Sequence, residues 1–161
     1  MAEGRLKIVV FGSLNAGKSS FIQALDPQSR HIEATSEEGA TTVAFDFGRL
    51  QVRDQAVYLF GTPGQERFEF VRQILARGMD GAIIIVDATT GVDSMTRHLY
   101  DRLKRLGVPL AFMANKCDCP GAAPEAVRRD VPGEMVHTIS ALNGKDVLAA
   151  LDAFVATLVA R

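Results

Sequence analysis

Tryptophan is absent from this chain, tyrosine occurs twice, and the only cysteines are Cys117 and Cys119. Two thiols separated by one residue cannot staple a loop-rich secreted fold, and they fall short of a four-ligand structural zinc site, so an apolar core must hold the chain. Charge of one sign is missing too. With 18 Lys and Arg against 19 Asp and Glu, formal net charge is −1 and the basic residues are dispersed. That excludes a broad electrostatic footprint for nucleic acid or anionic lipid. Long apolar runs are also lacking: KIVVFG and GAIIIVDA are far shorter than the roughly 20 residues of a membrane span, and the charged start MAEGRLK has no apolar signal-peptide core. Ala2 follows Met1 and the chain ends LVAR, which offers neither an N-terminal glycine for myristoylation nor a C-terminal cysteine for prenylation. The expectation is a cytoplasmic protein without a stable membrane anchor.

What is present fits one compact domain, residues 1–161. At this length, with 47% hydrophobic residues, a chain buries roughly 70% of its unfolded surface. Apolar runs at Lys7–Phe11, Val57–Phe60, Ala82–Val86, Leu110–Ala114 and Met135–Ile139 alternate with helical patterns. The alternation predicts a three-layer α/β/α fold with a mostly parallel sheet. Met95, Leu99, Leu103 and Leu106 recur at helical spacing after Asp93, and Val147, Leu148, Leu151, Phe154, Val155 and Leu158 form a second stripe. Both read as core-facing. Thr42–Val52 alternates Val43, Phe45 and Phe47 with polar or small residues and turns at Arg53-Asp54-Gln55, which predicts a hairpin and one antiparallel edge strand. The polar stretch between Asp26 and Thr42 has no apolar period and reads as a mobile loop.

GSLNAGKS, residues 12–19, satisfies G-x-x-x-x-G-K-[ST], follows the strand KIVVF and opens the helical SSFIQAL. In such a loop backbone N–H groups converge on phosphate oxygens, glycines at 12 and 17 permit the tight turn, and the helix N-terminus adds partial positive charge. The nucleotide is therefore assigned to Gly12, Leu14, Asn15, Ala16, Gly17, Lys18, Ser19 and Ser20. Lys18 reaches the β- and γ-phosphates, and Ser19 is a Mg²⁺ ligand. A chance match is common for loose glycine motifs but improbable for this pattern in a strand–loop–helix setting.

NKCD, residues 115–118, follows the apolar run Leu110–Ala114 at the end of the fifth predicted strand. Asp118 can accept from N1–H and the exocyclic amine of guanine, Asn115 can bridge base and phosphate loop, and the Lys116 stem can cover the base face. Alone, NKCD would read as a surface turn. Its place downstream of the phosphate loop reverses that, as does SAL (Ser140, Ala141, Leu142) after the sixth strand, whose Ala141 N–H can meet guanine O6.

With these motifs the chain resembles the Ras-like small GTPases from about Leu6 to Leu158, through GSLNAGKS, the TVAFDF that is similar to the Rab switch, TPGQERF, NKCD and SAL. The resemblance implies a P-loop NTPase fold of six strands and about five helices, and GTP/GDP binding with Mg²⁺ and slow hydrolysis. It also implies regulation by activating or exchange factors. The compact bacterial and archaeal branch that includes the MglA-type GTPases is the most similar, and it implies small roadblock-type dimer proteins among the partners. It further places Thr42 on Mg²⁺ and the γ-phosphate, with Thr41 as a substitute, Gly64 on the γ-phosphate, and Gln65 on the attacking water; Gln65, Lys18 and Thr42 form the implied catalytic group.

Two residues depart from the family pattern. Gly61 stands where an aspartate is expected, so Mg²⁺ is left to Ser19, Thr42, phosphate and water, and weakened metal binding without loss of GTP binding is expected. Asp87 could replace the missing acid in principle, although a strand-end role fits it better. Leu14 stands beside the γ-phosphate where glycine is usual, and crowding there predicts slow turnover. Arg30 and Arg67 are candidate internal arginines, each more simply read as a solvated surface residue; His31, His98 and His137 have no metal spacing and receive no role. Two functions follow: a GTP/GDP switch with partner-stimulated hydrolysis, or a nucleotide-bound scaffold that hardly hydrolyses.

Overall fold

The computed structural model describes residues 4–35, 42–61 and 78–160. Seven strands among them form one sheet: β1 (Gly4–Gly12), β2 (Arg30–Thr35), β3 (Thr42–Val52), β4 (Gln55–Gly61), β5 (Gly81–Asp87), β6 (Leu110–Asn115) and β7 (Val136–Thr138). Their order is β2-β3-β4-β1-β5-β6-β7. All neighbours from β4 to β7 pair in parallel, whereas β3 is antiparallel to both β2 and β4. Four helices lie among the described residues, α1 (Lys18–Leu25), α2 (Ser94–Arg105), α3 (Pro124–Asp130) and α4 (Val147–Val159). None is long and apolar enough to cross a membrane.

The mostly parallel, helix-covered sheet agrees with the sequence-based expectation, and the differences lie at its β2 edge. Residues Arg30–Thr35, expected to belong to a loop, form β2, which makes seven strands in place of six and moves the antiparallel β3 one position in from the edge. The hairpin turn is tighter than expected. Val52 faces Gln55, and the two intervening residues, Arg53 and Asp54, have φ of 50° and 61°. Paired positive φ values match the twist of two-residue hairpins.

Strand alternation divides the core between the two faces. Ile8, Val10, Leu59, Ile83 and Ile85 point to the side covered by α1 and α4, where Phe21, Ile22, Leu151 and Phe154 are buried. Val9, Phe11, Ile84 and Phe112 point to the side of α2 and α3, against Leu99, Leu103 and Val127. The predicted helical stripes hold except at three positions, of which Leu106, 56% exposed, follows the last residue of α2, and Leu148, 58% exposed, lies between buried Val147 and Leu151 on α4. Met95 is exposed as well; Thr96 and Ala150 are buried in their stead. Phe45 and Phe47 share one face of β3, as alternation requires, and meet Phe60 with ring centroids 6.1 Å and 5.2 Å away. Between α2 and the segment before β7, Glu134 accepts from Lys104 at 2.7 Å and from Tyr100 at 2.6 Å. Burial together with this carboxylate pushes the Tyr100 hydroxyl up to about 12.

The parallel strands bring their carboxyl ends together. β1 ends in the glycine loop, β4 in Gly61, β5 in Asp87 and β6 in Asn115, and in open α/β sheets this edge is where ligands bind.

Candidate functional site

The loop between β1 and α1 turns through positive φ at Gly12 (155°), Asn15 (65°) and Gly17 (109°). Gly17 matters for a further reason: a Cβ there would lie 2.1 Å from Asn115 Nδ2. The close approach lets Asn115 Nδ2 donate to the Ala16 carbonyl at 2.8 Å, while its Oδ1 accepts from the Ala141 amide at 2.9 Å. One buried side chain at the end of β6 thus ties the glycine loop to the segment after β7. The Ala141 amide was expected to face a base; it satisfies Asn115 instead, as a buried amide oxygen needs a donor.

Among the described residues no side chain caps α1, and the N–H groups of its first turn face the cleft side of the loop as donors for an anion. Lys18, 8% exposed, lies over this loop and donates to the carbonyls of Gly12 and Ser13. The Ser13 hydroxyl donates to Asp93 Oδ2 at 2.5 Å, and Asp93 also caps α2 by accepting from the Thr96 amide at 2.8 Å. Burial pushes the Asp93 carboxyl up, but the bonds from Ser13 and Thr96 outweigh it and leave the group below its ordinary range. The phosphate-type loop is therefore braced from α2 as well as from β6.

Asp118 accepts from the Ser140 hydroxyl at 2.8 Å and from Asn143 Nδ2 at 3.1 Å. Those donors, Ser140 first, hold its carboxyl below the usual range. Lys116, in a left-handed conformation with φ 65°, directs its ammonium to Asp87 Oδ2 at 2.9 Å. Asp87 also accepts the Thr89 hydroxyl at 2.6 Å and amide at 2.9 Å. Its burial raises the carboxyl pKa and these bonds more than reverse that. Asp87 is thus engaged at the strand end, the role that its place in the sequence favours.

A cleft of about 860 Å³ collects Leu14, Asn15, Ala16, Gly17, Lys18, Ser19, Ser20, Asn115, Lys116, Asp118, Ser140 and Leu142. Gly12 and Ala141 stand directly behind this wall, through the Lys18 and Asn115 bonds. Leu14 is 68% exposed and turned to the cleft rather than the core. Thr42 takes the first position of β3, opposite Thr35; Thr41, Gly64, Gln65 and Arg67 lie outside the described residues. Four lining residues escaped sequence reasoning: Ser13, His31, Asp46 and Cys119. His31 had been given no role, yet its Nδ1 lies 3.1 Å from Asp46 Oδ1, and Asp46 Oδ2 accepts the Ser19 hydroxyl at 2.5 Å. The TVAFDF string carried the only available signal, an acidic residue alternating with the two phenylalanines. Among the described residues no group of three or more His, Cys, Asp or Glu side chains could hold a metal by itself. Ser19 brings a hydroxyl to this cleft, an oxygen donor of the kind that hard Mg²⁺ accepts together with phosphate oxygens.

Comparison with known proteins agrees with this geometry. The model of the elongation factor Tu GTP binding domain matches residues 3–159. The uncharacterized protein MJ1339 of Methanocaldococcus jannaschii is 33% identical over 118 residues, 73% of this chain and 74% of that protein. Translation initiation factor IF-2 of Alkaliphilus oremlandii is 29% identical over 90% of this chain, which spans only 21% of that much longer factor. The G domain of the T. maritima FeoB iron transporter superposes with a TM-score of 0.71 at 20% identity, covering 96% of this chain and 99% of that one, and establishes the fold alone. The chain belongs to the family of the elongation factor Tu GTP binding domain.

Proposed function

We propose that this protein is a guanine-nucleotide switch that hydrolyses GTP slowly and relies on protein partners for acceleration and exchange. The observation that carries the reading is the Asn115 side chain, which joins Ala16 of the phosphate loop to Ala141, the residue after the Ser140 that bonds Asp118. Phosphate grip and base pocket are thereby one rigid unit. With Ser140 and Asn143 orienting its oxygens, the Asp118 carboxylate suits a base edge with two adjacent donors, which guanine has and adenine lacks. A pocket built around such bonds rejects the wrong base by about 10⁴-fold.

Each residue then has a task. Lys18 neutralises charge on the terminal phosphates, and the amides of the glycine loop and of the first turn of α1 orient them. Ser19 would hold Mg²⁺, joined, on the family resemblance, by Thr42. When bound, that ion would neutralise charge on the terminal phosphates. Gly64 and Gln65 take, by the same resemblance, the γ-phosphate and the attacking water. Leu14 narrows the space beside the γ-phosphate, and Arg30 is exposed at the start of β2, which supports slow intrinsic turnover. An arginine from a partner adds about 10³ to 10⁵ in rate in such enzymes. Activating or exchange factors, including a roadblock-type dimer, and a cytoplasmic place of work belong to the same reading.

Single-turnover cleavage of GTP by the purified protein tests it. Slow, complete conversion of bound GTP to GDP is expected, with Arg30→Ala unchanged from wild type. Bound GTP that stays intact over many hours would favour the nucleotide-bound scaffold.

A further inference from the structure

Gly61 ends β4 where the family pattern has an acid, and the packing explains the glycine. A Cβ at position 61 would stand 2.6 Å from Ile22 Cδ1 and 3.4 Å from the Asp46 Cβ. Ile22 is fully buried on α1, and its Cγ2 would also lie 2.7 Å from a Cβ at Gly48. Two glycines on adjacent strands thus admit one isoleucine. In a close-packed interior no side chain fits at 61 unless Ile22 withdraws.

Asp46 is the cross-strand partner of Gly61 in the β3–β4 ladder and of His31 in the β2–β3 ladder. Adjacent strands lie about 4.8 Å apart, so a carboxylate carried one strand over needs only its own side chain to return to the same hydroxyl. That is where Asp46 goes: Oδ2 to Ser19 at 2.5 Å, with Oδ1 3.1 Å from His31 Nδ1. Asp46, Ser19 and Lys18 line the same cleft. A serine hydroxyl that gives its proton to a carboxylate keeps its lone pairs for a hard cation, and the carboxylate adds negative charge beside it.

We propose that Asp46 supplies, from the neighbouring strand, the cation-side acid that position 61 has given up, acting as a positioning residue that holds Ser19 and strengthens Mg²⁺ binding. The inference rests on the guanine-nucleotide reading. It replaces the expectation of a weakly held ion, since the acid is relocated and not lost. The combination of Ile22, Gly48 and Gly61 with Asp46 forms one packing solution.

Release of a fluorescent GDP analogue from the full chain, followed against free Mg²⁺ and again in excess EDTA, tests the proposal. Asp46→Asn keeps the shape and can still accept from Ser19, but it loses the charge. It and Asp46→Ala are expected to need about 10- to 100-fold more Mg²⁺ for equal retention, with release in EDTA unchanged. Asp46→Asn with wild-type Mg²⁺ dependence would overturn the proposal. So would an equally large change in EDTA, the mark of a strap that merely ties β2 and β3 to α1. Gly61→Asp alone should bring no tightening, whereas Asp46→Asn with Gly61→Asp and Ile22→Ala should recover Mg²⁺ dependence; a triple variant that behaves normally in EDTA without recovering it contradicts the exchange of positions. If the wild type takes up no analogue at any Mg²⁺ concentration, the guanine-nucleotide reading itself fails.

Discussion

Asp118 presents two oxygens steadied by Ser140 and Asn143, and a single-atom change tests what they recognise. Asn at this position keeps one acceptor and turns the other oxygen into a donor. Asp118→Asn should therefore lose GDP affinity by about 10⁴-fold and gain affinity for the xanthine nucleotide, whose 2-oxo group wants that donor; competition binding with both nucleotides reads this out. Unchanged preference for guanine would show that Asp118 does not face the base. Gly17 is the second informative residue, with φ of 109° and room only for hydrogen beside Asn115. Gly17→Ala should cost more than about 1 kcal/mol in denaturant unfolding, because the backbone conformation and the space are both unsuited to a methyl group. It should also weaken nucleotide binding, since displacing Asn115 uncouples loop from base pocket. Most of the site was legible at this scale because each motif's spacing encodes a backbone path. Asp46, His31 and Asn143 were not, because their roles come from ladder register and loop closure, which no local string records.

Among the elements, legibility followed burial. The central strands β1, β5 and β6 are covered on both faces and show as continuous apolar runs. β2 has one neighbour among the described residues, and RHIEAT offers too little apolar alternation to reveal a strand whose identity lies in its backbone bonds to β3. Helix stripes mislead at their flanks for a related reason, as period alone does not say how wide a face of the helix the sheet covers. α4 makes the distinction measurable. Phe154 is 1% exposed in the α1–α4 layer and Leu148 is 58% exposed on the same helix. Phe154→Ala should cost about 3–5 kcal/mol and Leu148→Ala less than about 0.5 kcal/mol in urea unfolding. Similar costs at both positions would contradict the helix orientation.

For the whole molecule, titration links packing to pH. His137 is half-buried in β7, its buried Nε2 has no hydrogen-bond partner among the described residues, and burial, with Arg128 nearby, holds its pKa below the ordinary value. The unfolded chain therefore takes the proton first, at about 6.5. The associated stability is complete above that pH and declines as pH falls toward the folded value. Glu134 acts in the same sense at lower pH. Burial raises its pKa, the bonds from Lys104 and Tyr100 lower it further, and that stability is present above about 4.5 and lost as pH falls through the depressed folded value. The melting temperature should begin to fall below about pH 6.5, and His137→Phe should flatten the upper part of that decline. A profile flat down to about pH 5 in the wild type would refute the assignment.

The nucleotide cleft draws on β1, α1, β6 and the segment after β7, so its base selectivity reports on the assembled fold in one number. Calorimetric titration of nucleotide-stripped, folded protein with GDP and with ADP, both in Mg²⁺, is the most direct test. The account predicts saturable GDP binding with ADP weaker by about 10⁴-fold. Equal affinity for the two, or uptake of neither, would contradict it.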